Sequence, residues 1–186
     1  VGRLRLMPLS ATMLSGDNVF GLEPEDEGDE VAQRRVRASK SLHALDRVVA
    51  RKDLAKELAD RAWARATATD PPARVIVFCD RREDAAKVAS DLRGRPDKPS
   101  TASPGPAFLV ATSAGEVGID VDAGHMVADL VEWERMVQRL GRVNRRGEGD
   151  ARIDILRLAP DRPEAPSDRE RRAAASADLL QRLPAR

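Results

Sequence analysis

The stretch that most constrains this chain runs from Phe108 to Gly147, FLVATSAGEVGIDVDAGHMVADLVEWERMVQRLGRVNRRG. Its first part is an apolar run, Phe108 to Ala111, that leads straight into a polar, glycine-bearing turn. That turn carries Thr112, Ser113, Gly115, Glu116, Gly118 and Asp120. In open α/β sheets, loops at the carboxyl ends of strands are where ligands bind. In the second part Trp133, Met136, Val137 and Leu140 recur at three- and four-residue steps, the spacing of one buried helical face. Gln138, Arg139, Arg142, Arg145 and Arg146 then crowd the end of this helix and the turn beyond it. Guanidinium groups packed this closely repel one another unless an anion sits among them. Phosphate is the natural candidate, because its oxygens match the guanidinium fork. Both halves therefore suit a nucleotide or a nucleic acid.

The pair ATSAGEVGID (Ala111 to Asp120) and QRLGRVNRRG (Gln138 to Gly147) resembles motifs V and VI of superfamily 2 helicases. The ending Asn144-Arg145-Arg146-Gly147 looks most like the CRISPR-associated helicase–nuclease of type I systems. The resemblance implies an α/β fold, a RecA-like (P-loop NTPase-type), mainly parallel sheet with helices on both faces, here the second helicase motor domain. It also implies an ATP-dependent helicase and translocase acting on single-stranded DNA in antiviral defence. Two rivals stay open: a general superfamily 2 DNA or RNA helicase, and a catalytically idle, helicase-like interaction domain.

The resemblance carries roles onto particular residues. Arg142 and Arg145 correspond to arginines that cross an interdomain cleft to the γ-phosphate of ATP, where charge builds up during phosphoryl transfer. Gln138 resembles the residue that opens the motif and helps organise those contacts. Gly118 and Asp120 resemble a Gly-x-Asp that approaches the ribose and links it to the arginines. Thr112 and Ser113 resemble hydroxyls that touch the nucleic-acid backbone, and Glu116 is grouped with them. Backbone contacts of this kind carry no sequence information, as a translocating motor requires. Read without the resemblance, Gly115 and Gly118 make a plain turn. Arg139 and Arg146 pair equally well with Glu134, Glu148 or Asp150 in weak surface bridges.

Taken in order, Leu4 to Leu9 reads as a buried strand followed by Ser10-Ala11-Thr12. That tripeptide resembles motif III, with Ser10 and Thr12 coupling hydrolysis to strand separation, so residues 1–14 would close a first RecA-like domain. Because its first residues already read as core, the chain is expected to be a fragment. Residues 15–45 are expected to be an acidic loop and interdomain linker; Gly16 to Glu30 is strongly acidic and almost free of apolar residues. The second RecA-like domain is expected over 46–158. It would open with a helix over Asp46 to Ala68, striped by Val49, Leu54, Leu58 and Ala62 and stopped by Pro71-Pro72. A strand over Arg74 to Cys79 follows, then a helix capped by Asp80 with Glu83 three positions on. Cys79 reads as a buried strand-end thiol. The Pro/Ser/Gly-rich link Gly94 to Pro106 departs from the family, being too short for the extra strand and helix expected there. Strands over His125 to Val131 and Ala151 to Leu158 complete the sheet, the latter closing it. Residues 159–186 form a Pro-rich connector and a helix capped by Ser167 or Asp168.

Composition bounds the function. The net charge is +1, so nucleic-acid binding by bulk electrostatics is excluded and any such contact is local. The single cysteine rules out an internal disulfide and a cysteine metal cluster, and fits a reducing cytoplasm. No apolar run has the length of a membrane span. The sequence contains no GxxxxGK[ST] phosphate loop and no acidic Walker B tetrad. The main grip on ATP and the ligands of its Mg2+ are therefore expected outside these residues, which alone should be inactive. His43 and His125 are isolated, and no metal is expected on this chain itself. The implied partners are single-stranded DNA, the RNA-guided CRISPR surveillance complex, and two domains of the same protein: the first RecA-like domain and a His-Asp nuclease.

Overall fold

The run Val75-Ile76-Val77-Phe78 is almost completely buried, as a continuous β-branched and aromatic strand is when helices cover both faces of its sheet. The computed structural model describes residues 28–69, 72–96, 107–116 and 120–183. Their elements are α1 (Glu30–Val36), β1 (Ser39–His43), β2 (Val48–Val49), α2 (Leu54–Ala66), β3 (Arg74–Phe78) and α3 (Arg82–Arg93). Then come β4 (Ala107–Ala111), β5 (His125–Asp129), α4 (Trp133–Leu140), β6 (Asp150–Leu158) and α5 (Asp168–Gln181). The strand order is β1-β6-β5-β3-β4, with β2 also on β6, and every pairing is parallel.

Strand alternation divides the core into two layers. Val75, Val77, Val127 and Leu156 face α2 and α3, where Leu54, Leu58, Ala62, Val88 and Leu92 meet them. Ile76, Phe78, Met126, Ala128, Ile153 and Ile155 face the other way, toward Met136 of α4 and Ala177 and Leu180 of α5. Each large aliphatic or aromatic side chain buried in this way contributes about 1.5–3 kcal/mol. The architecture is the α/β one expected, a parallel sheet with helices on both faces.

Several boundaries differ from the sequence reading, each for a local reason. The helix expected from Asp46 begins only at Leu54, because Val48 and Val49 pair with Arg157 and Leu158 of β6 as a short strand. Part of the stretch assigned to a linker is α1 and β1, and β1 pairs with β6 from Ser39↔Asp150 to His43↔Asp154. Strand β6 does not close the sheet but lies inside it, between β5 and the β1/β2 edge. Helix α3 is preceded by Arg81 with no side-chain cap, since Asp80 is drawn off into ion pairs with Arg135 and Arg169. Strand β3 pairs directly with β4, Arg74↔Ala107 through Phe78↔Ala111. At the C-terminal end, Ser167 does cap α5, in a reciprocal capping box with Glu170. Ser10, Thr12, the Leu4 to Leu9 strand and Gly118 lie outside the described residues.

Parallel strands give the sheet a carboxyl end and an amino end, and this separates what the sequence sets side by side. Thr112 to Glu116 leave the carboxyl end of β4, and the crossover through Asp120 to Gly124 delivers the chain to the amino end of β5. Helix α4 then starts beyond the carboxyl end of β5 and runs back, so the arginine-rich turn after it lies at the amino end. A parallel bridge between Ala123 and Val143 joins the crossover to that turn.

Candidate functional site

At the carboxyl end, the acidic groups that follow β3, β4 and β5 converge on two arginines of α4. Glu116, only 3% exposed, accepts hydrogen bonds from Arg135 Nη2 at 2.7 Å and Arg139 Nε at 2.8 Å. Arg135 Nη1 also donates to Asp80 at 2.6 Å, and Arg169 of α5 pairs with the same carboxylate. Arg139 is completely buried; its Nη1 donates to both the carbonyl and the carboxylate of Asp129, at 2.8 and 3.0 Å. Its guanidinium lies 5.2 Å over the Phe78 ring. Asp129 takes a further hydrogen bond from the Asp80 backbone N–H at 2.9 Å.

Two expectations are corrected here. Arg139 is not a surface residue paired with Glu134, Glu148 or Asp150; it is the centre of a buried network. Glu116, grouped with the nucleic-acid contacts, turns its carboxylate inward, because the buried Arg139 and the half-buried Arg135 need a partner that water cannot supply. Burial alone would raise the Glu116 pKa, but hydrogen bonds from Arg135 and Arg139 hold it below the usual carboxylate value. Asp129 goes the other way: burial dominates and raises it despite Arg139. Cys79, fully buried beside this network, has its thiol pushed far up by burial and by the nearby carboxylates of Asp129 and Asp84, an inert environment. Of the two hydroxyls expected here, Thr112 is half-buried at the start of a 3-10 turn and Ser113 is exposed.

At the amino end Arg145 and Arg146 are exposed, while Arg142 is half-buried. Arg142 donates from Nε and Nη2 to the Glu116 carbonyl, at 3.2 and 2.9 Å, which ties the turn after α4 to the loop after β4. Arg145 Nη1 reaches the Asp120 carboxylate at 2.5 Å; the two side chains are 43% and 96% exposed. Arg146 is more exposed still and stands 3.9 Å from Asp122. Arg35 of α1 joins Asp120, Asp122, Arg145 and Arg146 around an open pocket of about 280 Å³. Gln138 lies half-buried on the last turn of α4. The structure thus brings Asp120, Arg142 and Arg145 to one end of the sheet and leaves Thr112 and Ser113 at the other.

The turn itself has an unusual backbone. Asn144 adopts a left-handed conformation, φ 45°, and its buried amide donates to the carbonyls of Ser39, at 3.0 Å, and Gly149. Gly147 is also left-handed, φ +66°, and a Cβ there would lie 2.1 Å from the Arg34 carbonyl oxygen. Glycine is required twice over, by conformation and by contact with α1. Sequence reasoning gave no site role to Asp122, Asp129 or Arg135, and read Asp80 only as a helix cap and Asn144 only as part of a motif ending. A signal for three of them was present, acidic residues directly after apolar strand runs and the Asp-x-Asp of 120–122.

Histidines have no comparable arrangement. His125 is half-buried, accepts a hydrogen bond at Nδ1 from the Arg152 backbone, and is held neutral more strongly than usual by burial and by Arg65. Among the described residues, no three His, Cys, Asp or Glu side chains are grouped to hold a metal ion. No helix of the described residues is long and apolar enough to cross a membrane.

A parallel sheet covered on both faces, with an arginine turn at its amino end, places the chain among RecA-like α/β domains, and this is also the fold of a solved relative. The crystal structure of T. fusca Cas3-ADP matches with a TM-score of 0.51 at 16% identity, over 81% of this chain and 22% of that one. A further match, a solved CRISPR-associated protein, has a TM-score of 0.41 at 20% identity, over 74% of this chain and 18% of that one. The chain therefore spans about a fifth of the length of these two structures. Residues 37–148 match the family model described as CRISPR-associated nuclease/helicase Cas3, C-terminal, and the chain belongs to that family. No curated protein matches it in sequence.

Proposed function

We propose that this chain is the second motor domain of an ATP-dependent helicase that translocates on single-stranded DNA, within a CRISPR type I helicase–nuclease. The observation that carries the reading is the arginine turn, in which Arg142 is tied to the loop after β4 and the exposed Arg145 to Asp120. An arginine supplied by a neighbouring domain stabilises the charge that spreads over the γ-phosphate oxygens during phosphoryl transfer. Arg142 and Arg145 fit that task because both leave a turn fixed by its backbone, Arg145 exposed and Arg142 half-buried against the Glu116 carbonyl. Asp120 would take the ribose side and Gln138 would help align the arginines. ATP would supply the phosphoryl group and its Mg2+ would neutralise charge there, with the ion's ligands in the first RecA-like domain.

Thr112 and Ser113, at the opposite end of the sheet, would follow the DNA backbone, so nucleotide and DNA act on different ends of one rigid layer. Closure of the two motor domains would then move the DNA-contacting end as a body. Ser10 and Thr12 would belong to the coupling segment of the first domain. The RNA-guided surveillance complex and a His-Asp nuclease domain of the same polypeptide are the proposed partners, in the cytoplasm.

The deciding experiment is ATP hydrolysis by the intact parent protein, titrated with single-stranded DNA and separately with RNA. Stimulation by DNA alone supports the reading. Stimulation by RNA, or by both equally, favours a general superfamily 2 helicase. No stimulation by either favours an idle interaction domain. Residues 1–186 alone should show no turnover, and measurable hydrolysis by them would contradict the domain assignment.

A further inference from the structure

The turn that bears Arg145 is not part of a helix or strand, so something else must fix the arginine's starting point. Three anchors are present. The Ala123–Val143 bridge holds the first residues, with Ala123 N–H donating to the Arg142 carbonyl at 3.1 Å and Asn144 N–H to the Ala123 carbonyl at 2.9 Å. Asn144 fixes the middle through its side-chain amide. The third anchor is Asp122, whose Oδ1 accepts from the Arg145 backbone N–H at 2.8 Å and Oδ2 from the Arg146 N–H at 3.3 Å.

Two successive N–H groups aimed at one point form a concave anion site, and here an internal carboxylate fills it. The Asp122 side chain, 22% exposed, reaches both amides from the crossover. Asp120, two residues earlier on the same crossover, holds the other end of Arg145, its guanidinium. One short segment therefore grips Arg145 at backbone and side chain. Because Asp122 touches no part of the arginine that would meet a phosphate, its contribution is to placement.

We infer that Asp122 is a positioning residue for Arg145: it fixes the backbone from which the guanidinium reaches the phosphate. The inference rests on the function proposed above. A misplacement of about 1 Å at a reacting centre costs on the order of 100-fold in rate. Asp122→Ala should therefore lower kcat for ATP by about that factor, with KM little changed. Asp122→Asn keeps an acceptor for the Arg145 N–H but sets an NH2 against the Arg146 N–H, so its loss should be smaller, about tenfold.

The test uses the full-length parent protein and the variants Asp122→Ala, Asp122→Asn, Arg145→Ala and the Asp122→Ala/Arg145→Ala pair. If Asp122 acts through Arg145, its removal costs nothing further once Arg145 is gone. Losses that multiply in the pair would overturn the inference and leave Asp122 a general structural residue. A silent Arg145→Ala would instead count against the proposed function. Amide hydrogen exchange at Arg145 and Arg146 then decides the geometric claim by itself. Faster exchange of both amides in Asp122→Ala, and of Arg146 more than Arg145 in Asp122→Asn, upholds it; unchanged exchange rejects it.

Discussion

The two ends of this sheet use the same chemistry, arginine against carboxylate, and put it to opposite uses. At the carboxyl end Arg139 is sealed from water and shared between Glu116 and Asp129. At the amino end Arg145 meets Asp120 where both are exposed. Burial is what separates them. A buried pair is costly to form and costly to break, because each partner would be left as an uncompensated charge in a poorly polarisable interior. An exposed pair contributes little and can be exchanged for another anion at little cost. The first arrangement suits a joint between β3, β4, β5 and α4; the second suits a group that must change partners.

This contrast can be broken experimentally, and the largest effect should come from the exposed end. Arg145→Ala in the parent protein should lower ATP turnover by about 10³-fold or more, the usual weight of a transferred arginine. Its stability should change by less than about 1 kcal/mol. Parallel measurement of turnover and urea unfolding checks both halves, and a large stability loss would remove the contrast. Arg139→Ala should do the reverse of this in stability, costing about 3–5 kcal/mol by stranding Glu116 and Asp129. Denaturant unfolding of the purified variant is the measurement, and a loss within experimental error would mean that the network is not a joint.

Smaller effects sharpen the comparison. Gly147→Ala should cost about 1–3 kcal/mol through its left-handed backbone and the clash with the Arg34 carbonyl. A melting curve would test it, and an unchanged midpoint would mean that α1 is not fastened to the arginine turn. Smallest is the α5 cap, where Ser167→Ala should cost about 1 kcal/mol. The Glu170 carboxyl is held down to about 2 by the Ser167 hydroxyl and by backbone N–H groups of Asp161 and Ser167. Its folded pKa lies below the unfolded value, so its stabilisation is complete above about pH 4.5 and disappears as pH falls through about 2. An NMR titration of Glu170 that gave an ordinary carboxylate value would remove this cap.

Much of the fold was legible because its signals are local. The Arg74 to Phe78 run, the α4 stripe and the Ser167 cap each depend on neighbours a few residues away, and each is where periodicity or capping chemistry put it. The short strand β2 and the edge strand β1 were hidden, because Val48-Val49 and Ser39–His43 become strands only by pairing with β6, more than a hundred residues later. The same holds for the site. Arg142, Arg145 and Asp120 stood out as a motif, but Asp122 and Asn144 act on backbone groups, and the Asp-x-Asp of 120–122 does not show which N–H groups its second carboxylate holds.

By itself the sequence determined the local strand and helix runs, since hydrophobic period is a property of adjacent residues, and its resemblance to helicase motifs implied the class of sheet and the arginine turn. Only the tertiary structure decided which arginines face water. Arg139 and Arg145 have the same chemistry and lie six positions apart on one segment, yet one is 0% and the other 43% exposed. The difference arises because Arg139 on the last turn of α4 turns its side chain inward to Asp129 and Glu116, while Arg145 leaves a turn at the amino end of the sheet and meets an exposed Asp120.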